Sequence, residues 1–233
     1  MRQNRTYQLL SKNSIRLLLL QFLLLAGLQT NAQIKIAGNV YGGGNAGDVG
    51  GNATVSVHEG DLKYLYGGAR MANVGGWAFV DINATSNLLI SVVYGGNDIS
   101  GTIGSSTSIP LTPIVNTADK AYIDNSFNSF IRTREAENKH LFIGRLFGGG
   151  NGDYTYTPSG TGIYDVTTKV GENTVTLATN VNKPDLSKTY LELMGGTIAH
   201  AYGGGNNVTV TDNTSICIDN ASPVTTSMKK PNG

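Results

Sequence analysis

Three aspartates follow glycine-rich segments that recur along the chain, and they are the residues best placed for chemistry. Asp98 and Asp153 come after YGGN and GGGNG, and Asp48 follows GGGNAG at a similar offset. Carboxylates brought together on neighbouring strands could bind Ca²⁺ or act as an acid and base pair. Aspartate is also a preferred turn residue, and that interpretation is favoured because no basic residue keeps a fixed offset from the three. Asp98 and Asp153 are therefore only weak candidates for a metal site.

Other motifs of catalysis and cofactor binding are weak or missing. Gly42, Gly44 and Gly47 match G-x-G-x-x-G, but the segment after them predicts a strand, not the helix that would receive a dinucleotide phosphate. The three histidines are far apart in sequence, and the single cysteine, Cys217, lies in the alternating stretch SICID. The sequence therefore predicts no catalytic residue, no cofactor and no metal, and we expect the protein not to be an enzyme.

The glycine-rich segments belong to a repeat, and each begins with an aromatic residue. We call the five segments marks. The aromatic residues are 25, 28, 53 and 55 positions apart, so a unit of about 25–28 residues fits, with two further units in which the mark has faded and seven or so units in all. The marks are Tyr41, Gly42, Gly43, Gly44 and Asn45; Tyr66, Gly67 and Gly68; Tyr94, Gly95, Gly96 and Asn97; Phe147, Gly148, Gly149, Gly150 and Asn151; and Tyr202, Gly203, Gly204, Gly205 and Asn206.

Short alternating segments between the marks predict strands. TVSV, AFVDIN, NTVTL and NVTVT alternate apolar and polar residues, whereas helical periodicity is nearly absent. A propeller blade needs about 40–45 residues, which exceeds the repeat. The sequence therefore predicts an all-β protein, a parallel β-helix (β-solenoid) with coils of about 25–28 residues.

In such a stack the marks would form the corners of the coils. The glycines would turn each corner with positive φ, the asparagines would form a ladder of amide hydrogen bonds, and the aromatic rings would form a column. One region departs from the pattern. Residues 105–140 contain two prolines, and Phe127, Phe130 and Ile131 follow helical spacing before a charged run. They predict an inserted loop with one short helix.

The N-terminus has the composition of a secretory signal peptide. Four basic residues precede the apolar run Leu17–Leu28, and small residues end the segment at Ala32. We expect residues 1–32 to be the signal peptide, 33–220 the repeat domain and 221–233 a C-terminal tail, with truncation of a longer chain left open. The chain after Ala32 has 13 basic and 16 acidic residues, which does not suit nucleic-acid binding. No transmembrane segment is predicted in this mature chain.

The aromatic-Gly-Gly-Gly-Asn repeat with an export signal resembles the glycine-rich tandem repeats of Gram-negative bacterial surface proteins. More loosely, it is similar to repeats of polymorphic outer membrane proteins and β-helical adhesins. The resemblance implies a parallel β-helix at the cell surface, associated with the outer membrane or released, with a structural or adhesive role. Glycans and host or neighbouring surface proteins would then be the partners. The alternative is a carbohydrate-active β-helix enzyme, a polysaccharide lyase or glycoside hydrolase, that uses stacked carboxylates.

Overall fold

The structure is a computed structural model that describes residues 33–104 and 127–218. These residues form thirteen strands and no helix, which confirms the all-β class. In chain order the strands are β1 (Lys35–Tyr41), β2 (Ala53–Val57), β3 (Gly60–Tyr66), β4 (Ala78–Ala84), β5 (Leu88–Tyr94), β6 (Ser129–Glu135), β7 (Leu141–Phe147), β8 (Thr155–Gly160), β9 (Ile163–Val170), β10 (Asn173–Val181), β11 (Thr189–Leu193), β12 (Thr197–Tyr202) and β13 (Thr214–Ile218). The predicted signal peptide and the predicted tail lie outside the described residues.

Ten of the strands build two parallel sheets. The first sheet has the order β1-β3-β5-β7-β12, and the second has the order β2-β4-β6-β11-β13. Every neighbouring pair in both sheets is parallel. From β1 to β7 the chain changes sheet at each successive strand, and it does so again from β11 to β13. Each repeat therefore contributes one strand to each sheet.

The main core lies between the two parallel sheets. The first sheet contributes Leu62, Ile90 and Ile143, and the second contributes Ile131 and Leu191. All of these side chains are buried and belong to one apolar cluster. Register partners repeat the same type of residue from strand to strand, as Leu62, Ile90 and Ile143 do. Alternation along each strand thus supplies one apolar face per strand, and the parallel register aligns those faces.

The long spacings between marks come from insertions and not from faded repeats. Strand β5 pairs directly with β7, and β7 pairs directly with β12. Each parallel sheet therefore has five strands, so the expected seven or so units are wrong for the described residues. The segment between the fourth and fifth marks forms a third sheet, β8-β9-β10, which is antiparallel. Antiparallel pairing was not anticipated because NTVTL follows the same alternation as the strands of the parallel sheets.

Two local predictions are corrected by the strand assignments. The predicted inserted loop at 105–140 is wrong in its last part, because β6 occupies Ser129–Glu135 at the centre of the second sheet, and the predicted short helix is absent there. Residues 105–126 lie outside the described ranges. The NVTVT segment forms no named strand, although Val210 makes an isolated bridge with Leu186. No helix within the described ranges has the length and apolar character needed to span a bilayer.

Candidate functional site

Each mark begins at the last residue of a strand of the first sheet. The aromatic residues that end β1, β3, β5, β7 and β12 are register partners of one another. Their ring centroids lie 4.8, 4.9, 5.1 and 4.8 Å apart, with planes inclined by 12–19°. These separations match the spacing of about 4.8 Å between paired strands, so the strand register places the five rings in one stacked column. The column consists of Tyr41, Tyr66, Tyr94, Phe147 and Tyr202.

The glycine after each aromatic residue allows neighbouring repeats to approach closely. A Cβ atom at Gly42, Gly67, Gly95 or Gly148 would lie 2.3–2.6 Å from the carbonyl oxygen of the corresponding glycine in the next mark. The N–H of each of these glycines donates to the carbonyl of the next aromatic residue, as Gly42 does to Tyr66 at 2.9 Å. A side chain would therefore break the hydrogen bonding between repeats.

The prediction that the mark glycines use positive φ is wrong. The described glycines with positive φ are Gly60, Gly101, Gly162, Gly171 and Gly196, none of which belongs to a mark. Close approach of the next repeat, instead, also limits the second glycine of the first four marks. A Cβ at Gly43, Gly68, Gly96 or Gly149 would lie within 3.0 Å of backbone atoms of the following repeat, whereas Gly204 has nothing within 4 Å.

The fourth position after each aromatic residue holds a polar column. Its members are Asn45, Arg70, Asp98, Asn151 and Asn206, which are aligned by backbone hydrogen bonds between successive repeats. Asn206 Nδ2 donates to Asn151 Oδ1 at 3.1 Å, and Arg70 Nη1 donates to Asn45 Oδ1 at 3.0 Å. The predicted asparagine ladder thus forms at one step only.

Asn97 is not equivalent to the other mark asparagines. It replaces the third glycine, and its amide accepts from Ala69 N at 2.7 Å and donates to Ala72 O at 3.1 Å. The sequence alignment of Asn97 with Asn45 is therefore wrong by one residue, and Asp98 takes the aligned place. Asn97 and Asp98 are adjacent in the sequence, so only the backbone register shows which of them aligns with Asn45.

Side chains of the polar column contact tyrosine hydroxyls two repeats earlier. Asp98 accepts from the Tyr41 hydroxyl at 2.6 Å. Asn151 Nδ2 donates to the Tyr66 hydroxyl at 3.5 Å, and Asn206 Nδ2 donates to the Tyr94 hydroxyl at 3.4 Å. The three contacts join the first repeat to the third, the second to the fourth, and the third to the fifth. A diagonal set of hydrogen bonds therefore crosses the ring column.

Asp98 is a buried carboxylate that joins three segments of the chain. Its exposed fraction is 1%, and it accepts from the Tyr41 hydroxyl, from Asn151 Nδ2 at 2.9 Å and from the Tyr154 hydroxyl at 2.7 Å. Tyr154 immediately precedes β8, and Tyr156 in β8 donates to Ile99 O at 2.7 Å. The third sheet is thereby attached to the first sheet through Asp98 and the residue that follows it. Both tyrosines were missed from sequence, although the alternation in DYTYT places them on one strand face.

Burial raises the pKa of every tyrosine hydroxyl around Asp98. Burial is the largest cause for Tyr66 and Tyr154, and the charge of Asp98 raises both pKa values further. For Tyr41, burial also leads, with the hydrogen bond from Asn39 opposing it. Burial raises the pKa of Tyr94 to about 12, while the hydrogen bond from Asn206 acts against the rise. The hydroxyls therefore stay protonated and remain hydrogen-bond donors at neutral pH.

The three candidate aspartates have different surroundings in the structure. Asp98 is buried, whereas Asp153 and Asp48 are exposed. Both oxygens of Asp48 accept hydrogen bonds, from Asn73 N at 2.8 Å and Asn73 Nδ2 at 3.2 Å. Within residues 33–104 and 127–218, no group of three or more His, Cys, Asp or Glu residues is positioned to hold a metal ion. The residue aligned with Asp98 in the fourth mark is Asn151 and not Asp153, so Asp98 and Asp153 are not equivalent positions of their repeats.

A second buried polar group lies on the second sheet. Arg132 Nε donates to Glu192, its register partner on the adjacent strand, and both side chains are buried. The guanidinium also lies over the rings of Phe130 and Phe79, 5.0 and 5.9 Å from their centroids. Sequence gave no signal for the ion pair, because its members are 60 positions apart and pair only through the β6–β11 register.

Comparison with protein-family models, curated proteins and solved structures finds no match for this chain. Its candidate function must therefore be argued from the geometry of the repeats.

Proposed function

We propose that the protein is an exported β-solenoid that serves a structural or adhesive role at the cell surface. The observation that carries the proposal is the register shared by five successive repeats. This register aligns the aromatic column, the contacts of the first glycines and the polar column at the carboxyl ends of the strands of the first sheet. Aligned corners are what a chain wound in near-equal coils produces, and repeated nearest-neighbour contacts give such scaffolds their rigidity.

Alternation between sheets supports the solenoid part of the proposal. Each repeat places one strand in the first sheet and the next strand in the second, and isolated parallel bridges connect the segments between them. Val49 bridges to Val74, and Val74 bridges to Ile103. These bridges therefore align three successive repeats in the segments that lead from the first sheet to the second. The insertions after the third and fourth marks leave the strand order of the first sheet unchanged, because β5, β7 and β12 still pair in order.

The exported location rests on residues 1–32. The basic segment, the apolar run from Leu17 and the small residues up to Ala32 are typical of a cleaved signal. A direct test is to express the full chain in a Gram-negative host and compare it with a Leu24→Arg variant. We expect the original chain to leave the cytoplasm and lose its first 32 residues, and the variant to be retained. A Leu24→Ile control should behave as the original, and retention of all three would contradict export.

The third sheet supplies a candidate contact face. Thr155, Thr167 and Thr176 form one row across its three strands, because Thr167 is the register partner of both others. Thr157 and Thr174 lie two residues along on the same face, and four of the five threonines are exposed. The opposite face holds Val166, which is buried, and Tyr156, whose hydroxyl donates to Ile99 O after the third mark. A flat face of hydroxyls suits hydrogen bonding to glycans, so we propose this face as the adhesive surface.

A glycan screen tests the proposed contact face. The chain from Gln33 onward should bind one or more surface glycans and release no product from them. Replacing Thr155 and Thr176 together with Val removes two hydroxyls and keeps β-branched side chains, so we expect weaker binding with unchanged melting. The matched control is Thr54→Val, an exposed threonine of the second sheet. Release of shortened glycans would contradict a non-enzymatic role, and binding unaffected by the double variant would contradict this face.

A further inference from the structure

Among residues 33–104 and 127–218, the strands at both extremes of each parallel sheet have a partner strand on one side only. Strands β1 and β2 stand at one extreme, and β12 and β13 stand at the other. We call these the β1/β2 edge and the β12/β13 edge. The outer side of such a strand presents backbone N–H and C=O groups that can pair with another strand.

Features that usually prevent pairing with another chain are few at these edges, namely Lys35 and the register irregularity between Ile36 and Asn39 of β1. Neither β2 (ATVSV) nor β13 (TSICI) contains a charged residue or a proline. Lys35 is the single charged residue of β1, and β12 has only the titratable His200. Apolar side chains are also exposed there. Ile34 and Ile36 are 59% and 37% exposed at one edge, and Ile216 and Ile218 are 42% and 81% exposed at the other.

The residues that end each column at one edge match those that begin it at the other. Ile36 and Ile198 are the two end members of one column in the first sheet, and Tyr41 and Tyr202 end the ring column. In the second sheet, Val55 and Ile216 end one column and Val57 and Ile218 end another. Asn45 and Asn206 end the polar column. The strand register that joins the five repeats would therefore continue across the two edges, with β1 keeping the one-residue irregularity between Ile36 and Asn39 that it already has opposite β3.

We propose that a second copy of this chain stacks on the first, head to tail, by pairing β12 with β1 of the next copy and β13 with β2. The inference rests on the proposed solenoid, whose contact between repeats it continues from one copy to the next. Apolar columns would meet apolar columns, and Tyr202 would stack on Tyr41 of the second copy. The contact joins unlike surfaces, so each added copy leaves one edge of each kind free and the assembly stays open.

The diagonal hydrogen bonds favour this orientation over pairing of like edges. In the chain, the fourth residue after an aromatic contacts the tyrosine hydroxyl two repeats earlier. Continued head to tail, that rule brings Arg70 of the second copy to the Tyr202 hydroxyl. The guanidinium donates and the hydroxyl accepts, so the two groups are compatible. Two like edges would instead meet with antiparallel strands, and neither the ring column nor this diagonal contact would continue.

Sedimentation over a range of concentrations tests the proposal. The chain from Gln33 onward contains all the described strands, which belong to one compact unit from Ile34. We expect its average mass to rise with concentration. Ile216→Lys blocks the β12/β13 edge and Ile36→Lys blocks the β1/β2 edge, so either variant alone should need at least about tenfold higher concentration to associate. Val175→Lys, which changes an exposed apolar residue of the third sheet, is the matched control and should associate as the original does.

Mixing the two edge variants decides the geometry. Ile216→Lys keeps a free β1/β2 edge and Ile36→Lys keeps a free β12/β13 edge, so an equal mixture should form a dimer and nothing larger. Association of one edge variant by itself would overturn head-to-tail stacking in favour of like edges. A monomeric original chain at all concentrations would overturn the proposal and indicate that residues 219–233 or another partner cover the edge. Cooperative melting and glycan binding are measured separately, so this failure would leave the proposed function standing.

Discussion

Gly149 and Gly204 occupy the same position of two successive marks but have different surroundings. A Cβ at Gly149 would lie 2.8 Å from Gly205 Cα, a backbone atom that cannot move aside, whereas Gly204 has open space around it. Neither has positive φ. We therefore expect Gly149→Ala to lower the free energy of unfolding by about 1–3 kcal/mol through overpacking. Gly204→Ala should be neutral or raise it by up to about 1 kcal/mol, because alanine restricts the unfolded chain.

Denaturant melts of the two alanine variants provide the measurement. Equal destabilisation by both would mean that the backbone conformation, and not the approach of the next repeat, requires glycine. The recurrence of glycine could be read from the sequence, but its reason could not. Positive φ and close approach both select glycine, and only the positions of atoms in the neighbouring repeat distinguish them.

Asp98 is expected to stabilise the attachment of the third sheet. Replacing it with alanine leaves the hydroxyls of Tyr41 and Tyr154 and the Asn151 amide without their acceptor in a buried place. We expect a loss of about 1–3 kcal/mol in the free energy of unfolding. Asp153→Ala is the matched control, since that aspartate is exposed, and it should change stability by less than about 0.5 kcal/mol. A similar loss in both variants would show that Asp98 acts as an ordinary turn residue.

Alkaline titration tests the hydroxyls around the ring column. Their folded-state pKa values are raised, so the folded protein holds protons that the unfolded chain releases near pH 10. The stability that Tyr94 contributes is fully present below about pH 10 and is lost as pH rises through about 12, whereas the pKa values of Tyr66 and Tyr154 are raised further and their contributions are lost at higher pH. Tyrosinate absorbance should therefore rise in two phases, with the later phase coinciding with unfolding by circular dichroism. A single phase near pH 10 in the folded protein would contradict burial of the column.

At the scale of elements, β6 shows why the spacing of apolar residues in one segment predicted a helix where a strand forms. Phe127, Phe130 and Ile131 have helical spacing, yet β6 places Phe130 and Ile131 on opposite faces. Ile131 packs in the core between the sheets, and Phe130 stacks on Phe79 and Tyr190 of the neighbouring strands. Two adjacent apolar residues are compatible with a helix and also with a strand that is buried on both faces, so their spacing does not distinguish the two. Strand β2 was predictable because its outward positions are polar, and β4 was predictable because Asp81 and Asn83 are outward and polar, although Phe79 shares their face.

The long intervals between marks could not be assigned from spacing alone. Intervals of 53 and 55 residues equal two repeats as well as one repeat plus an insertion. Because β5 pairs directly with β7, the interval of 53 residues is one repeat plus an insertion. Parallel pairing is non-local, and a sequence does not show which strand a given strand will join.

The buried ion pair between β6 and β11 gives a test of the second sheet. Arg132→Met leaves the Glu192 carboxylate buried without its partner, and we expect a loss of about 3–5 kcal/mol. The double variant Arg132→Met with Glu192→Leu replaces the pair with apolar side chains of similar size. It should recover most of that loss, because no buried charge remains. Chemical denaturation of both variants measures the difference, and a double variant less stable than the single one would show that the pair itself stabilises the sheet.

At the scale of the whole molecule, the proposed solenoid predicts that a complete repeat is removable. Deleting Tyr66–Val93 joins Leu65 to Tyr94. Since Leu65 pairs with Val93 and Tyr66 pairs with Tyr94, the junction restores the strand GDLKYLY and a following mark in phase. The shortened chain should melt cooperatively at a somewhat lower temperature, having lost one set of contacts between neighbouring repeats.

Deleting half of that segment, residues 66–79, is the matched control. It joins Leu65 to Val80, so a strand of the first sheet would continue directly into one of the second and every later repeat would lose its phase. We expect no cooperative melting there. In the full deletion, the diagonal rule also predicts a new contact between the Tyr41 hydroxyl and the Asn151 amide, because those residues become two repeats apart. Replacing Tyr41 with Phe removes this contact and should destabilise the shortened chain. Equal loss of stability in the two deletion variants would argue against a solenoid.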